Sequence, residues 1–158
     1  MPVLELTTRI RAPLQRCFDL ARSVDLHRLS ADHTGEQIVA GVRHGLMGPG
    51  DEVTWRARHF AVWQRLSSRI TAFDPPRHFR DSMLRGAFAR FDHDHVFDAL
   101  ADDRTDMHDI FDFTSPLGPL GRIADALVLT RHLRRFLAER NHVLKQIAES
   151  DEWQALLA

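Results

Sequence analysis

Between Glu52 and Ser115 nearly every segment alternates polar and apolar residues with a period of two, and after Pro116 the period lengthens to that of a helix. This switch constrains the chain more than any other feature. A run of half-buried strands needs its apolar side covered, and only the segment after Pro116 is long and apolar enough to cover it.

Within the run, "EVTWRARHF" (52–60) sets Val53, Trp55, Ala57 and His59 against Glu52, Thr54, Arg56 and Arg58. "VWQRLSSRITAF" (62–73) follows a tight turn and is stopped by "DPP" at 74–76, because proline cannot donate to a ladder. Three further strands are expected in "HFRDSMLR", "FARFDHDHVFDAL" and "DMHDIFDFT", separated by Gly86 and by "ADDR" at 101–104. Short connections between consecutive strands imply an antiparallel meander. Beyond Pro116, Leu120, Ile123, Leu127, Leu133, Leu137, Leu144 and Ile147 recur at helical spacing, which predicts one long amphipathic helix over residues 120–150.

The first fifty residues supply the rest of the frame. "VLELTTRI" alternates as a half-buried strand. Pro13 then opens a helix whose face carries Leu14, Cys17, Phe18 and Ala21, and Ser23 is placed to cap a second helix, "VDLHRLS". "TGEQIVAG" reads as a strand and "GVRHGLMGPGDE" as a glycine-rich turn, with Leu46 and Met47 expected at the mouth of any cavity.

At 158 residues this is a single domain, 1–158, with an α+β architecture. A net charge of −1 gives no field that would gather nucleic acid, and no apolar run is long enough to span a bilayer. One cysteine, no disulfide partner and no apolar leader in "MPVLELTTRIRAP" lead to the expectation of a cytoplasmic protein.

Taken with the order strand, two short helices, six strands and long helix, the segments "APLQRCFDLARSVD", "GDEVTW" and "FDPPRHF" resemble the helix-grip superfamily. That group comprises the START domains, the birch pollen allergen and the polyketide cyclase/dehydrase-like proteins. The resemblance spans essentially the whole chain. It implies a curved antiparallel sheet wrapped around the C-terminal helix, with a ligand cavity between them.

Parity then assigns side chains to faces. In "FARFDHDHVFDAL", Phe91, His93, His95 and Phe97 fall on the inner face, while Arg90, Asp92, Asp94 and Asp98 form a solvated outer face. Phe79, Asp81 and Met83 share one side of the preceding strand, and Met107, Asp109, Phe111 and Phe113 share one side of the following strand. A hairpin centred on Asp102 sets His95 opposite Asp109 and Phe97 opposite Met107. One centred on Ala87 sets Asp81 opposite His93 and Met83 opposite Phe91. The inner face therefore holds a polar patch of Asp81, His93, His95 and Asp109, with Trp55 and His59 facing the same interior.

Several roles are open to this patch. The aspartates and histidines can satisfy one another inside a wide core. They can also anchor the polar end of an apolar ligand enclosed by Trp55, His59, Met83, Phe91, Phe97, Phe111 and Phe113. His93 or His95, oriented by Asp81 or Asp109, can act as general acid/base, and the resemblance to cyclase/dehydrase-like proteins implies such chemistry. His93, His95 and one aspartate match a metal-ligand set, but both aspartates are needed as partners of the histidines, so no metal or other cofactor is expected. The expected function is binding of a small hydrophobic molecule, without nucleic acid or membrane insertion. A cyclase/dehydrase-type enzyme is the alternative, and an interaction module with a filled core is the second. "RHLRR" (131–135) reads as a snorkelling basic turn, and Cys17 as a core residue.

Overall fold

A computed structural model describes residues 2–59, 61–116 and 118–158, apart from the side chains at 121, 122 and 124–126. Seven strands form one antiparallel sheet in the order β1-β7-β6-β5-β4-β3-β2. They are β1 (Val3–Ile10), β2 (Gln37–Gly41), β3 (Glu52–His59), β4 (Val62–Asp74), β5 (His78–Arg85), β6 (Arg90–Leu100) and β7 (Arg104–Thr114). Position 60, the last residue of the expected "EVTWRARHF" strand, lies outside the described residues. Strands β2 to β7 are the expected meander, and β1 returns to pair with β7.

Local chemistry explains the turns that matter here. Asp102 and Asp103 in the β6–β7 turn adopt positive φ, a conformation that Asp tolerates better than most residues. This fixes Leu100 opposite Arg104 and, along the ladder, His95 opposite Asp109 and Phe97 opposite Met107. In the β5–β6 pair Asp81 faces His93, as the turn centre predicts, but the ladder ends at Ser82–Asp92, so Met83 and Phe91 are not a paired couple. Gly41 has φ near +81°, and a Cβ there would lie 2.2 Å from the Glu52 carbonyl oxygen, so the β2–β3 corner requires glycine.

Helix α1 (Leu14–Ala21) and helix α2 (Val24–Ser30) close one end of the sheet's concave face, with Ser23 Oγ accepting from the Leu26 amide as an N-cap. The Phe18 ring sits edge-on to Phe73, Phe79 and Phe97, the centre of the larger core. A second core joins Leu4, Phe91, Phe111, Phe113 and Leu137.

The C-terminal segment is the long helix expected, but with a π turn inside it that the spacing does not predict. It consists of α3 (Gly118–Ala124), a wider π turn (Asp125–Leu129), α4 (Thr130–Ala148) and a short α5 (Trp153–Leu157). A π turn carries about one extra residue, which rotates the helical faces on either side relative to each other. Leu137, Leu144 and Ile147 are buried in the grip of the sheet, whereas Leu120, Ile123, Leu127 and Val128 are exposed. No helix among the described residues is long and apolar enough to cross a membrane.

Asp92 and Asp94 lie on the outer face, but they are less solvated than parity alone suggests. Arg90 holds Asp92 at 2.9 Å, Arg80 and His78 both bond Asp94, and the Asp94 side chain is only 16% exposed. Partly screened pairs of this kind contribute at most about 1 kcal/mol each.

Candidate functional site

Between the concave face of the sheet, α2 and α4 lies a cavity of about 480 Å³. Trp55, His59, Phe91, Phe111, Leu133 and Phe136 line its apolar part, and Asp81, His93 and His95 form one polar wall. Met47 borders it from the glycine-rich loop, as expected; Leu46 is not on its lining, but bridges to Ser23. Three residues expected on the lining are elsewhere. Phe97 is sealed beneath α1 with Phe18 and Phe79. Phe113 is fully buried against Phe88 and Phe111, and Met83 packs against the second core without reaching the cavity. Parity assigns a face but does not say which part of that face a helix covers.

Asp109 also lies off the lining, fully buried under the polar wall. Each of its oxygens is engaged. Oδ1 accepts from His93 Nε2 at 2.8 Å, and Oδ2 accepts from Asn141 Nδ2 at 2.6 Å. The Arg140 guanidinium approaches Oδ1 at 3.5 Å and donates to the Ala21 carbonyl at 3.0 Å, so it joins α4 to α1 and to the sheet. Arg140 and Asn141 are buried members of the site that strand parity cannot reveal. Their signal lies in the helix: they stand three and four residues after Leu137 and so interrupt its inward stripe with polar groups.

The hydrogen bonds cross the ladder. His95 Nε2 bonds Asp81 Oδ1 at 3.0 Å, so each histidine bonds the aspartate that lies opposite the other. His95 Nδ1 comes within 3.3 Å of Asp109 Oδ1 but out of line for a hydrogen bond, and is left without a hydrogen-bond partner among the described residues. Phe79 stacks on the His95 ring at 4.2 Å, and the two imidazoles lie 3.9 Å apart.

Electrostatics separates the four groups. Burial opposes ionisation of Asp109, but hydrogen bonding to His93 and contact with His95 outweigh it and hold this carboxyl well below the usual range. Asp81 is lowered for the same kind of reason, through His95 and the nearby positive charges. Although walled by protein, it opens onto the cavity and its side chain remains 23% exposed. Burial and the neighbouring His95 lower the pKa of His93. In His95 burial is outweighed by the two carboxylates, and its pKa is raised.

A second histidine pair stands at the mouth. His59 Nδ1 lies 3.1 Å from His132 Nε2, linking the end of β3 to α4, and burial lowers the pKa of both. Beside it Trp55 packs on His27, 4.5 Å between centroids, and His27 Nε2 is 2.9 Å from Glu36. Cys17 is buried off the cavity, and burial pushes its thiol up to about 11, which leaves it unreactive at neutral pH.

No family model and no curated protein matches this sequence. Solved structures do match in fold. One is the protein TTHA0849 from Thermus thermophilus, 18% identical, with a TM-score of 0.72, over 94% of this chain and 100% of that one. Another is a START superfamily protein from Mycobacterium smegmatis, 11% identical, with a TM-score of 0.71, over 93% and 97%. A third is Ara h 8.0201, 17% identical, with a TM-score of 0.60, over 90% and 97%. The fold is the helix-grip fold. At these identities the likeness extends to the fold alone.

Proposed function

We propose that this protein binds one small, mainly apolar molecule between the sheet and α4, with the molecule's polar end at Asp81, His93 and His95. The observation that carries this reading is the cavity itself. Its volume of about 480 Å³ falls among small-molecule sites, and its lining is mainly apolar, with Asp81, His93 and His95 grouped together on the sheet side. A packed interaction module would have filled this space. The single free cysteine, buried and protected, accords with a cytoplasmic setting.

Titration with 1-anilinonaphthalene-8-sulfonate, an apolar aromatic probe with an anionic end, tests the proposal. Saturable fluorescence enhancement at one site per chain is expected, together with a compound released from the purified protein on organic extraction. Absence of saturable binding would overturn the proposal. Cyclase/dehydrase-type chemistry is the second reading. It is favoured by the imidazole of His95, which carries a carboxylate partner on the wall of an apolar chamber. Turnover of a linear poly-β-carbonyl substrate, lost in His95→Gln with probe binding retained, separates enzyme from carrier.

A further inference from the structure

The crossed bonding leaves the two faces of the histidine pair in different states. Asp109 faces one nitrogen of each ring, bonding His93 Nε2 at 2.8 Å and lying 3.3 Å from His95 Nδ1 without a hydrogen bond. The other nitrogens, His93 Nδ1 and His95 Nε2, both turn toward Asp81 Oδ1, at 3.8 and 3.0 Å. Because His93 donates through Nε2, its Nδ1 carries a bare lone pair, and that lone pair faces a carboxylate oxygen across 3.8 Å. Asp81 Oδ1 also holds the proton of His95 Nε2, so a divalent ion that displaced this proton would meet both nitrogens and the carboxylate on the cavity wall.

We propose that Asp81, His93 and His95 hold a divalent transition metal ion, zinc being the probe of choice, with its remaining positions open to the cavity. Donor atoms from these three residues lie within 4.8 Å of one another. Metal–ligand bonds of about 2.0–2.2 Å place adjacent donors roughly 3.0–3.5 Å apart, a spacing bracketed by the separations seen at Asp81. Two imidazoles and a carboxylate are a donor set suited to such ions.

Asp109 completes the arrangement as the carboxylate behind the ligands, orienting the His93 ring, and is itself held by Asn141 and Arg140. Asp81 is tied to the pair by a single hydrogen bond, from His95 Nε2, and an ion that displaced this proton would free that nitrogen and the carboxylate together as ligands. Charge favours an ion as well: with neutral imidazoles, two carboxylates against the Arg140 guanidinium, which contacts Asp109, leave one negative charge. The open positions face the space assigned to the ligand's polar end, so this inference rests on that reading for what completes the coordination, but not for the metal itself.

The test uses full-length protein stripped by chelation and titrated with Zn(II) by calorimetry and with Co(II) by visible absorption. One ion per chain is expected, with an affinity reduced at least about 10-fold in Asp81→Asn and about 10–100-fold in Asp109→Asn. His59→Gln is expected to leave both stoichiometry and affinity unchanged, which excludes the histidine pair at the mouth. Two results would overturn the site: wild type that takes up no stoichiometric ion, or uptake undiminished in an Asp81→Asn protein whose melting temperature shows it folded. Probe binding by the metal-free protein is measured in parallel. Loss of metal uptake with probe binding intact rejects the metal site alone, and loss of probe binding with metal uptake intact rejects only the ligand cavity.

Discussion

Asp109 lies directly across the ladder from His95, yet its 2.8 Å hydrogen bond goes to His93, two residues along the same strand. The diagonal brings three elements onto one carboxylate, since Asn141 and Arg140 of α4 reach it as well.

Asp109→Leu should therefore destabilise the fold by on the order of 3–5 kcal/mol, because it strands the buried Arg140 charge together with two polar partners. The double substitution His95→Phe, Asp109→Leu should not be restored to wild-type stability, since it leaves the Arg140 charge without a carboxylate and the Asn141 amide without its acceptor. Had the pair been isolated, the double variant would be nearly neutral. Urea denaturation of the single and double variants distinguishes the two.

Asn141→Ala removes the donor to Asp109 Oδ2 and leaves a buried charged acceptor one bond short. A loss of about 1–3 kcal/mol is expected, read from the same denaturation curves with an unchanged slope.

Ala57 is buried on β3 and borders the cavity. Ala57→Phe should fill space that the apolar probe needs and so abolish its saturable fluorescence. The melting temperature should move by less than about 4 °C, because the new ring enters a void rather than a packed core. Retained probe binding in the folded variant would place the ligand elsewhere.

Burial lowers the pKa of His59 below its unfolded value near 6.5, so the folded state resists the proton that the unfolded state accepts. The contribution of neutral His59 to stability is complete above that unfolded value and is lost as the pH falls from it toward the folded value. The melting temperature of wild type should consequently drop relative to His59→Gln between pH 7 and pH 5. A constant difference across that range would show that the pair at the mouth does not titrate with folding.

The sheet was legible in the sequence because alternation and two turn centres suffice to fix faces and register, and the Asp81–His93 and His95–Asp109 juxtapositions follow from them. What the side chains do after that depends on their χ angles, which parity does not encode; hence the crossed bonds. The helix was harder. The π turn at Asp125–Leu129 breaks the phase between Leu127 and Leu137, so one continuous stripe in the sequence becomes two faces in space, and Leu120, Ile123 and Leu127 turn outward. Phe97 and Phe113 have inward parity but lie where helix or aromatic neighbours close over the sheet, a long-range fact that no local pattern carries.

The pairing of β1 with β7 also sets a schedule. Leu6 meets Asp109, and Val3 meets Asp112, across more than a hundred residues of chain, so the first strand made must wait for the last. Such distant contacts slow folding, because the closure entropy of a long loop is lost before they form. Asn141 extends the wait, because Asp109 is not satisfied until α4 has been synthesised and docked. On the ribosome the alternating apolar residues Leu4, Leu6 and Ile10 emerge long before their partners exist. The polar wall of the cavity is then among the final features to assemble, and errors in the last forty residues fall first on the chemistry rather than on the meander.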